Sequence, residues 1–441
     1  MVPTRYAASR FARRYISAPG GALKILHIIA SADPRSGGPI EGILQQDRAF
    51  AGHVTSELLT LDAPEAEFLS EIPLRVVALG NGIIGKRDRA LFVRYGFSSA
   101  YISWLRDNAR KYDGVIVHGL WNFATMAAAI VLPSIMRGKY YVYPHGMMDP
   151  WFAKHDPRKH FLKQISWLGL EGRLLAGARA VLFTAPEEKS LADGQFWGWS
   201  YNGVVVGYGI SEPPLVSVED RRCFRDSISG LGDRKFLLFL SRIHPKKGCD
   251  LLVKAFAAVG ANEGVDIVIA GPDEVNIIPE LKAIATQLGI GERIHWPGML
   301  RGSSKWAAYY EAEAFVLPSH QENFGIVVAE ALACGVPVLT TDKVNIWRSV
   351  ADGGGGIVRV DDEEGVADLL TTWFAMPEAE RRNMSVAARR IFDEQFSVRY
   401  VARNFLNLLN EHGIEGAAEV VGAMDFEEVD IADVGCEGGV I

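Results

Sequence analysis

Short runs of apolar residues recur along the chain and alternate with longer segments in which apolar and polar residues are mixed. In the first half these runs predict seven strands, at residues 24–30, 54–61, 74–79, 114–118, 140–144, 180–184 and 204–208. Uninterrupted apolar runs of this length are typical of strands that are buried on both faces of a parallel sheet. Their alternation with helical segments predicts an α/β fold with helices on both faces of a mostly parallel sheet.

The same pattern starts again in the second half of the chain. It predicts strands at residues 236–240, 265–270, 293–298, 314–318 and 336–340, and residues 341–346 and 353–358 complete the sheet, with the four glycines from residue 353 as a turn. Between the halves, residues 211–235 contain Pro213-Pro214 and no strong strand, which is typical of a boundary between domains. We therefore predict a first domain at 23–210, a linker at 211–235 and a second domain at 236–395.

The two ends of the chain differ from this core in composition. Residues 1–22 contain four arginines and no acidic residue, and we predict a disordered basic extension there. From residue 411 to residue 441 the chain is acidic and rich in glycine, without lysine or arginine. Such a composition cannot bury enough apolar surface to fold, so we predict a disordered acidic tail.

Composition excludes several classes of protein. The chain has 441 residues, of which 49% are hydrophobic, and this is ample for two sizeable cores. Its formal net charge of −7 argues against a general nucleic-acid binder. The cysteines are scattered without metal-ligand spacing, and no apolar run approaches the roughly 20 residues of a membrane-spanning helix. We expect a soluble or peripheral protein in a reducing compartment.

The most informative stretch runs from Ser319 to Val338. A buried strand leads into a polar turn with Glu322, and a helix then follows from Phe324 to Cys334. Glu330 lies among apolar residues of that helix, so its carboxylate needs a partner. The free N–H groups at the helix start favour an anion such as phosphate, and Gly325 permits its close approach. This pattern indicates a ligand with a phosphate and neighbouring hydroxyl groups.

Other chemistry-bearing residues also follow predicted strands directly. Arg242 and Lys247 flank a turn, and both side chains can bind phosphate oxygens. Gly37-Gly38 lies between the first strand and the first helix, where it is either a ligand-facing turn or an ordinary loop. His145 and His118 each follow a strand end and precede a glycine, so each is a site histidine or a structural one.

Glu322-Asn323-Phe324-Gly325, followed by Glu330 and by Ala-Leu-Ala-Cys-Gly-Val-Pro-Val, resembles the Glu-x7-Glu motif of retaining family 4 glycosyltransferases of the GT-B fold. The resemblance implies two Rossmann-like domains facing a cleft. It also implies a last helix, at residues 396–410, that crosses back onto the first domain. The donor would be a nucleotide diphosphate sugar, which Gly37, Gly38 and the residues of the motif would help to bind.

The resemblance also implies a role for each matching residue. Arg242 and Lys247 would stabilise the departing diphosphate without a metal ion or other cofactor, and Glu322 would hold hydroxyl groups of the donor sugar. Glu330 would hold the ribose, His145 would contact the sugar from the first domain, and residues 296–300 would form a base pocket. Pro-His-Gly-Met-Met-Asp-Pro-Trp, at residues 144–151, resembles the enzymes of bacterial exopolysaccharide or O-antigen assembly. A mannosyl donor and a glycan or lipid-linked acceptor are then expected.

Residues 151–173 interleave aromatic and basic side chains. This pattern fits a helix on an anionic membrane, and it equally fits a solvated helix whose apolar face packs on the sheet. The first interpretation would place the protein in the cytoplasm, on the inner face of the cell membrane. Two other functions remain open, namely a sugar-nucleotide epimerase of the same fold and a non-catalytic scaffold in polysaccharide assembly.

Overall fold

The computed structural model of the protein describes residues 23–80, 96–260 and 264–424. These residues form two parallel sheets that are covered by helices, which confirms the predicted α/β class. The predicted basic extension at 1–22 lies outside the described residues. Within the described ranges, no helix has both the length and the apolar character needed to cross a bilayer.

The first sheet has seven strands in the order β3-β2-β1-β4-β5-β6-β7, and all neighbouring strands are parallel. The strands are β1 (Leu23–Ile28), β2 (Val54–Thr60), β3 (Arg75–Ala78), β4 (Gly114–His118), β5 (Tyr140–Tyr143), β6 (Ala180–Phe183) and β7 (Gly203–Val205). Each lies within a predicted run or within one residue of it. Their carboxyl ends share one edge, which is where open sheets of this kind bind ligands.

Helices cover this sheet on its two faces. They are α1 (Gly38–Ala49), α2 (Ser99–Asn108), α3 (Phe123–Ile135), α4 (Trp151–His155), α5 (Pro157–Ser166), α6 (Gly172–Gly177) and α7 (Pro186–Ala192). Alternate residues of β1 face opposite ways, so Leu26 joins one buried cluster and Ile25 joins another. The continuous apolar runs therefore reflect burial on both faces.

The second sheet has six strands in the order β10-β9-β8-β11-β12-β13, again all parallel. They are β8 (Lys235–Leu240), β9 (Val265–Ala270), β10 (Ile294–Gly298), β11 (Ala314–Leu317), β12 (Val338–Thr341) and β13 (Gly356–Arg359). Its helices are α8 (Val218–Asp226), α9 (Cys249–Ala255), α10 (Ile278–Gln287), α11 (Gly302–Glu311), α12 (Ile326–Ala333), α13 (Trp347–Asp352), α14 (Glu363–Ala375) and α15 (Glu378–Ile391).

The structure shortens the predicted linker at 211–235. Helix α8 lies inside that range, and its Phe224 is fully buried in the core of the second domain together with Ile228 and Leu231. The helix carries an Ser217 capping box and two arginine contacts to Glu311, so it is anchored to the second domain. The prediction of a linker is therefore wrong from Ser217 onward. The few apolar residues of this segment are spaced among charged ones, and such a pattern does not by itself predict a buried helix.

The end of the chain returns to the first domain. Helix α16 (Val398–Glu411) buries Phe405, Leu406 and Leu409 against β1 and α1, as predicted for the helix that crosses back. A further helix, α17 (Ala417–Met424), packs beside it, although we predicted a disordered tail from residue 411. That prediction is wrong for 417–424, because small and apolar residues there pack on an apolar surface formed by other residues of the first domain and α16. Residues 425–441 lie outside the described residues.

We predict that Phe405→Ala destabilises the first domain by about 3–5 kcal/mol, because a fully buried aromatic side chain is lost from the contact between α16 and the sheet. The matched control is Asn407→Ala on the exposed side of the same helix, which should change stability by less than about 0.5 kcal/mol. Chemical denaturation of both variants would measure the difference. Equal stability of the two variants would contradict the packing role of α16.

Candidate functional site

The carboxyl ends of the two sheets face each other, and side chains from both domains meet between them. Gln321 donates a hydrogen bond to Asp149 at 3.2 Å, which joins the turn after β11 to the turn after β5. Arg348 of α13 forms an ion pair with Glu187 of α7, with its Nε 2.8 Å from the carboxylate. The two domains are therefore held in a closed arrangement by direct polar contacts.

Lys247 and Glu322 form an ion pair at the centre of this region. The Lys247 side chain is only 8% exposed and that of Glu322 is 22% exposed. Gly248 follows Lys247 with a φ of 65°, and a Cβ there would lie 2.0 Å from the Pro318 carbonyl oxygen. Only glycine allows the turn to approach the end of β11 this closely, and this approach brings Lys247 to Glu322.

Glu330 has the partners that its burial requires. Lys305 of α11 lies 2.5 Å from one carboxylate oxygen, and the Tyr309 hydroxyl donates to the other at 3.0 Å. Burial and the nearby Glu330 carboxylate raise the pKa of Tyr309 well above its usual value, so its hydroxyl stays a donor. The sequence predicted that Glu330 needs a partner, but it did not indicate Lys305 or Tyr309.

Arg242 is less closely engaged than predicted. Its side chain is 61% exposed and donates to Glu274 at 3.0 Å, on the turn after β9. The structure therefore brings Lys247 and Glu322 together, whereas Arg242 stands at the rim with another acid. Arg242 could contact a diphosphate only if the ligand replaced Glu274 as its ion-pair partner.

The start of α12 is built for close approach. Gly325 has a φ of 78° and precedes the first helical residue, Ile326, whose N–H group lacks an acceptor within the helix. The Phe324 side chain is buried against Tyr208 and Phe396, with ring centroids 5.1 and 5.6 Å away. Phe324 can therefore offer a ligand its backbone but not its ring.

Gly146 and Asn323 make a close contact between the domains. Gly146 has a φ of 72°, and a Cβ there would lie 2.4 Å from the Asn323 Cγ atom. The buried Glu188 carboxylate accepts the Gly146 N–H group at 2.6 Å, two hydrogen bonds from Thr184 and one from the Asn323 amide. Burial raises the pKa of Glu188, although these hydrogen bonds favour its charged form.

Gly37-Gly38 lies against the start of α12. The Tyr208 hydroxyl donates to the Gly38 carbonyl at 2.6 Å, and a Cβ on Gly38 would lie 3.2 Å from the Ile326 side chain. Gly37 has a φ of 102°, which L side chains rarely adopt. This turn therefore lines the cleft on the side of α12.

His145 is the end of a chain of three histidines. The His27 Nδ1 atom lies 3.0 Å from His118 Nε2, and His118 Nδ1 lies 3.0 Å from His145 Nε2. Burial lowers the pKa of His27 to about 3 and that of His145 to about 4, and it lowers the pKa of His118 well below its usual value. Adjacent rings cannot both be protonated, because two N–H groups would then face each other.

Residues 221–391 match the family model for glycosyl transferases group 1. This region is a glycosyl transferases group 1 domain. It begins in α8 and contains Arg242, Lys247, Glu322 and Glu330. The start of the match agrees with the packing of α8 on the second sheet rather than in a linker.

Two curated relatives are similar to part of this chain. A D-inositol 3-phosphate glycosyltransferase from Xylanimonas cellulosilytica is 35% identical over 184 residues, which cover 40% of this chain and 43% of the relative. D-inositol 3-phosphate glycosyltransferase 2 from Catenulispora acidiphila is 32% identical over 171 residues, which cover 37% and 40%. The chain thus spans less than half the length of these relatives.

Solved structures resemble the whole two-domain arrangement. Sucrose-phosphate synthase from Thermosynechococcus elongatus has a TM-score of 0.69 at 19% identity, covering 88% of this chain and 98% of that structure. Anabaena HepE in complex with UDP and glucose has a TM-score of 0.66 at 17% identity, covering 88% and 100%. At such identity the likeness shows the fold alone, and that fold is GT-B, with two Rossmann-like domains.

Several residues that contribute to the site in the two domains could not be predicted from the sequence. Glu188 lies 42 residues from Gly146 and His27 lies 91 residues from His118, and nothing in their local pattern distinguishes them from other core positions. His118 was singled out by its place after a strand, and the structure joins it to His145. Across the described residues, no group of three or more His, Cys, Asp or Glu is arranged to hold a metal ion.

We predict that the histidine chain makes the protein less stable as pH decreases below about 6.5. The folded-state pKa values lie below the unfolded value of about 6.5, so their contribution is complete above that pH and is lost as pH falls toward 4. Each histidine should lower the free energy of unfolding by up to about 1.4 kcal/mol per pH unit below pH 6.

Chemical denaturation at pH 7, 6 and 5 would measure this slope, and the His118→Asn variant should show a shallower one. If the wild-type protein had the same stability at pH 7 and pH 5, the histidines would not be held neutral in the folded state.

Proposed function

We propose that the protein is a retaining glycosyltransferase that moves a hexosyl group from a nucleotide diphosphate sugar to a hydroxyl group of an acceptor. The observation that carries this proposal is the arrangement of Lys247, Glu322 and Glu330 around the start of α12, which faces the His145–Gly146 turn. A group 1 domain provides all three residues. Mannose is the favoured sugar, and a glycan or lipid-linked acceptor in surface polysaccharide synthesis is the favoured acceptor.

The Lys247–Glu322 ion pair supports this assignment because its two halves match two parts of the donor. A buried ammonium group suits the diphosphate, whereas a carboxylate accepts hydrogen bonds from sugar hydroxyl groups. In the absence of donor each group neutralises the other, which avoids an unpaired buried charge. Donor binding would exchange one ion pair for two sets of ligand contacts.

In the proposed reaction the bond between the sugar C1 atom and the diphosphate oxygen breaks, and a bond forms between C1 and the acceptor oxygen. The acceptor proton passes to the departing phosphate oxygen on the same face of the sugar, so configuration is retained. Lys247, the rim residue Arg242 and the first N–H groups of α12 would stabilise the charge that develops on the diphosphate. The protein's cations would thus do this without a metal ion.

His145 would contact the donor sugar from the first domain as a neutral imidazole. Its low pKa follows from burial, so it would donate or accept a hydrogen bond without carrying a proton on both nitrogens. Glu330 would bind the ribose hydroxyl groups once these replace Tyr309 or Lys305 as its hydrogen-bonding partners. Gly37, Gly38, Asn323, Phe324 and Gly325 would contribute backbone or amide contacts to the donor.

We predict that Glu322→Gln lowers kcat by about 10²–10³-fold, because a group that holds the reacting sugar is lost. Binding of GDP or UDP should persist in this variant and should be lost in Lys247→Met, since the ammonium group contacts the diphosphate. Calorimetry in EDTA would measure the nucleotide affinities, and assays with a panel of donor sugars would measure kcat. Glu292→Gln, an exposed acid of the same domain, is the matched control and should behave as wild type.

The stereochemistry of the product, determined by NMR, separates the alternatives. A product with inverted configuration would overturn the proposed mechanism. Turnover of the donor without any acceptor would instead identify a sugar-nucleotide epimerase. Absence of nucleotide binding by the folded protein would indicate a scaffold, and a requirement for added metal would overturn metal independence.

We also propose that α5 attaches the protein to an anionic membrane surface. The apolar side chains Phe161, Leu162 and Ile165 are 65%, 65% and 54% exposed, so they do not pack on the sheet. Arg158 and Lys159 are exposed on the same helix. Apolar side chains beside basic ones favour insertion at the surface of anionic lipid.

We predict that the protein floats with vesicles of phosphatidylcholine and phosphatidylglycerol and less with phosphatidylcholine alone. The double variant Phe161→Ser/Leu162→Ser should lose this binding, because two inserted side chains are removed. Val386→Ser, which alters an exposed apolar residue of the second domain, is the matched control and should bind like wild type. Equal flotation of the double variant and wild type would contradict the role of α5.

A further inference from the structure

A large cavity lies between the two domains, beside the turns that carry Lys247 and Glu322. Its volume is about 1020 Å³. The first domain contributes Asp149 and Trp151, and the second contributes the starts of α9 and α10 with Asp250 and Glu280. Sites for small ligands usually measure about 300–1,000 Å³, so this cavity has room for several sugar rings.

The cavity has an excess of negative charge. Its lining includes six carboxylates, from Asp149, Glu187, Asp250, Glu280, Asp342 and Asp361. Two lysines, Lys246 and Lys343, also line it, and Lys343 is paired with acids of the same wall. A ligand with phosphate or carboxylate groups would therefore be repelled.

The acids are spread around the wall rather than gathered at one point. No group of His, Cys, Asp or Glu in the described parts of the chain has the arrangement of a metal site, and this includes the cavity. Separated carboxylates are acceptors for several hydroxyl donors at once. Ile277 and Ile284 of α10 add an apolar part to the wall, which suits the C–H faces of sugar rings.

A cation–π contact and a ring stack hold the wall of the cavity next to the turns that carry Lys247 and Glu322. The Lys246 Nζ atom lies 3.2 Å from the centre of the Trp151 ring, and the His155 ring stacks on Trp151 at 3.8 Å. Lys246 and Gln321 both line the cavity, and each immediately precedes a member of the Lys247–Glu322 pair. A chain-like ligand in the cavity would therefore end close to the proposed reacting groups.

We propose that this cavity binds an uncharged, hydroxyl-rich segment of the acceptor glycan. The inference rests on the proposed transferase function and adds the chemical class of the acceptor. The carboxylates of Asp250 and Glu280 accept hydrogen bonds from the glycan and exclude anionic sugars. The donor would bind beside Lys247 and Glu322, which do not line this cavity.

The test uses the full chain saturated with whichever of GDP or UDP binds. Maltotetraose, cellotetraose and α-1,6-mannotetraose are the neutral probes, and tetragalacturonate is the anionic probe. Saturation-transfer NMR and calorimetry would measure binding. We expect at least one neutral tetrasaccharide to bind and tetragalacturonate to bind at least about tenfold more weakly.

The double variant Asp250→Asn/Glu280→Gln should weaken binding of the neutral tetrasaccharide by about tenfold, because hydrogen bonds to charged acceptors are lost. Its affinity for the nucleotide should stay within twofold of wild type, and this affinity also reports correct folding. Glu292→Gln is again the matched control. The Glu280→Lys variant should reduce the difference in affinity between the anionic and the neutral probes.

Three results would overturn the proposal while leaving the transferase function intact. The first is nucleotide binding without binding of any neutral tetrasaccharide, and the second is unchanged tetrasaccharide affinity in the double variant. Equal binding of tetragalacturonate and the neutral probes would also overturn it. Loss of nucleotide binding in wild type would instead remove the proposed function itself.

Discussion

The contact between Gly146 and Asn323, supported by the Glu188 carboxylate, is the constraint on which the closed arrangement depends. Glu188 accepts hydrogen bonds from Thr184, Gly146 and Asn323, so a single buried acid links two strand ends of the first domain to the second domain. An unsatisfied buried carboxylate is costly, and the native state avoids this cost only while all three donors are present. Satisfying this charge therefore contributes to the contact between the domains, together with the Gln321–Asp149 and Arg348–Glu187 contacts.

The same contact divides the space between the domains. On one side, Gly37-Gly38 and the histidine chain face the start of α12 with Lys247 and Glu322. On the other side lies the acidic cavity. Gly146 permits an approach to Asn323 that any larger residue would block.

Much of the fold could be predicted from the sequence. Continuous apolar runs predicted the strands of both sheets within about two residues, because strands buried on two faces have no polar positions. The linker and the acidic tail were wrong in part, at α8 and α17, since both helices mix charge with a few apolar residues. Their burial depends on surfaces supplied by other elements, such as the sheet beside Phe224.

Some residues of the candidate site could likewise be predicted from the sequence, and others could not. Glu322, Glu330, Lys247 and Gly325 were identified from a short motif and from their places beside strand ends. Arg242 was identified too, but the structure places it at the rim with Glu274. The partners Lys305, Tyr309 and Glu188 could not be identified, because each is an ordinary residue in its own helix and acts only through a neighbour supplied by the fold.

The sequence by itself determined which segments form the two sheets, which strand ends carry chemistry and that Glu330 must have a partner. Those properties follow from the local spacing of apolar, charged and glycine residues, which a linear pattern records directly. Only the tertiary structure decided the partners, since His27 and His118 are 91 residues apart and Gly146 and Glu188 are 42 apart. Strand order and domain closure bring such residues together, and neither is written in any one stretch of the chain.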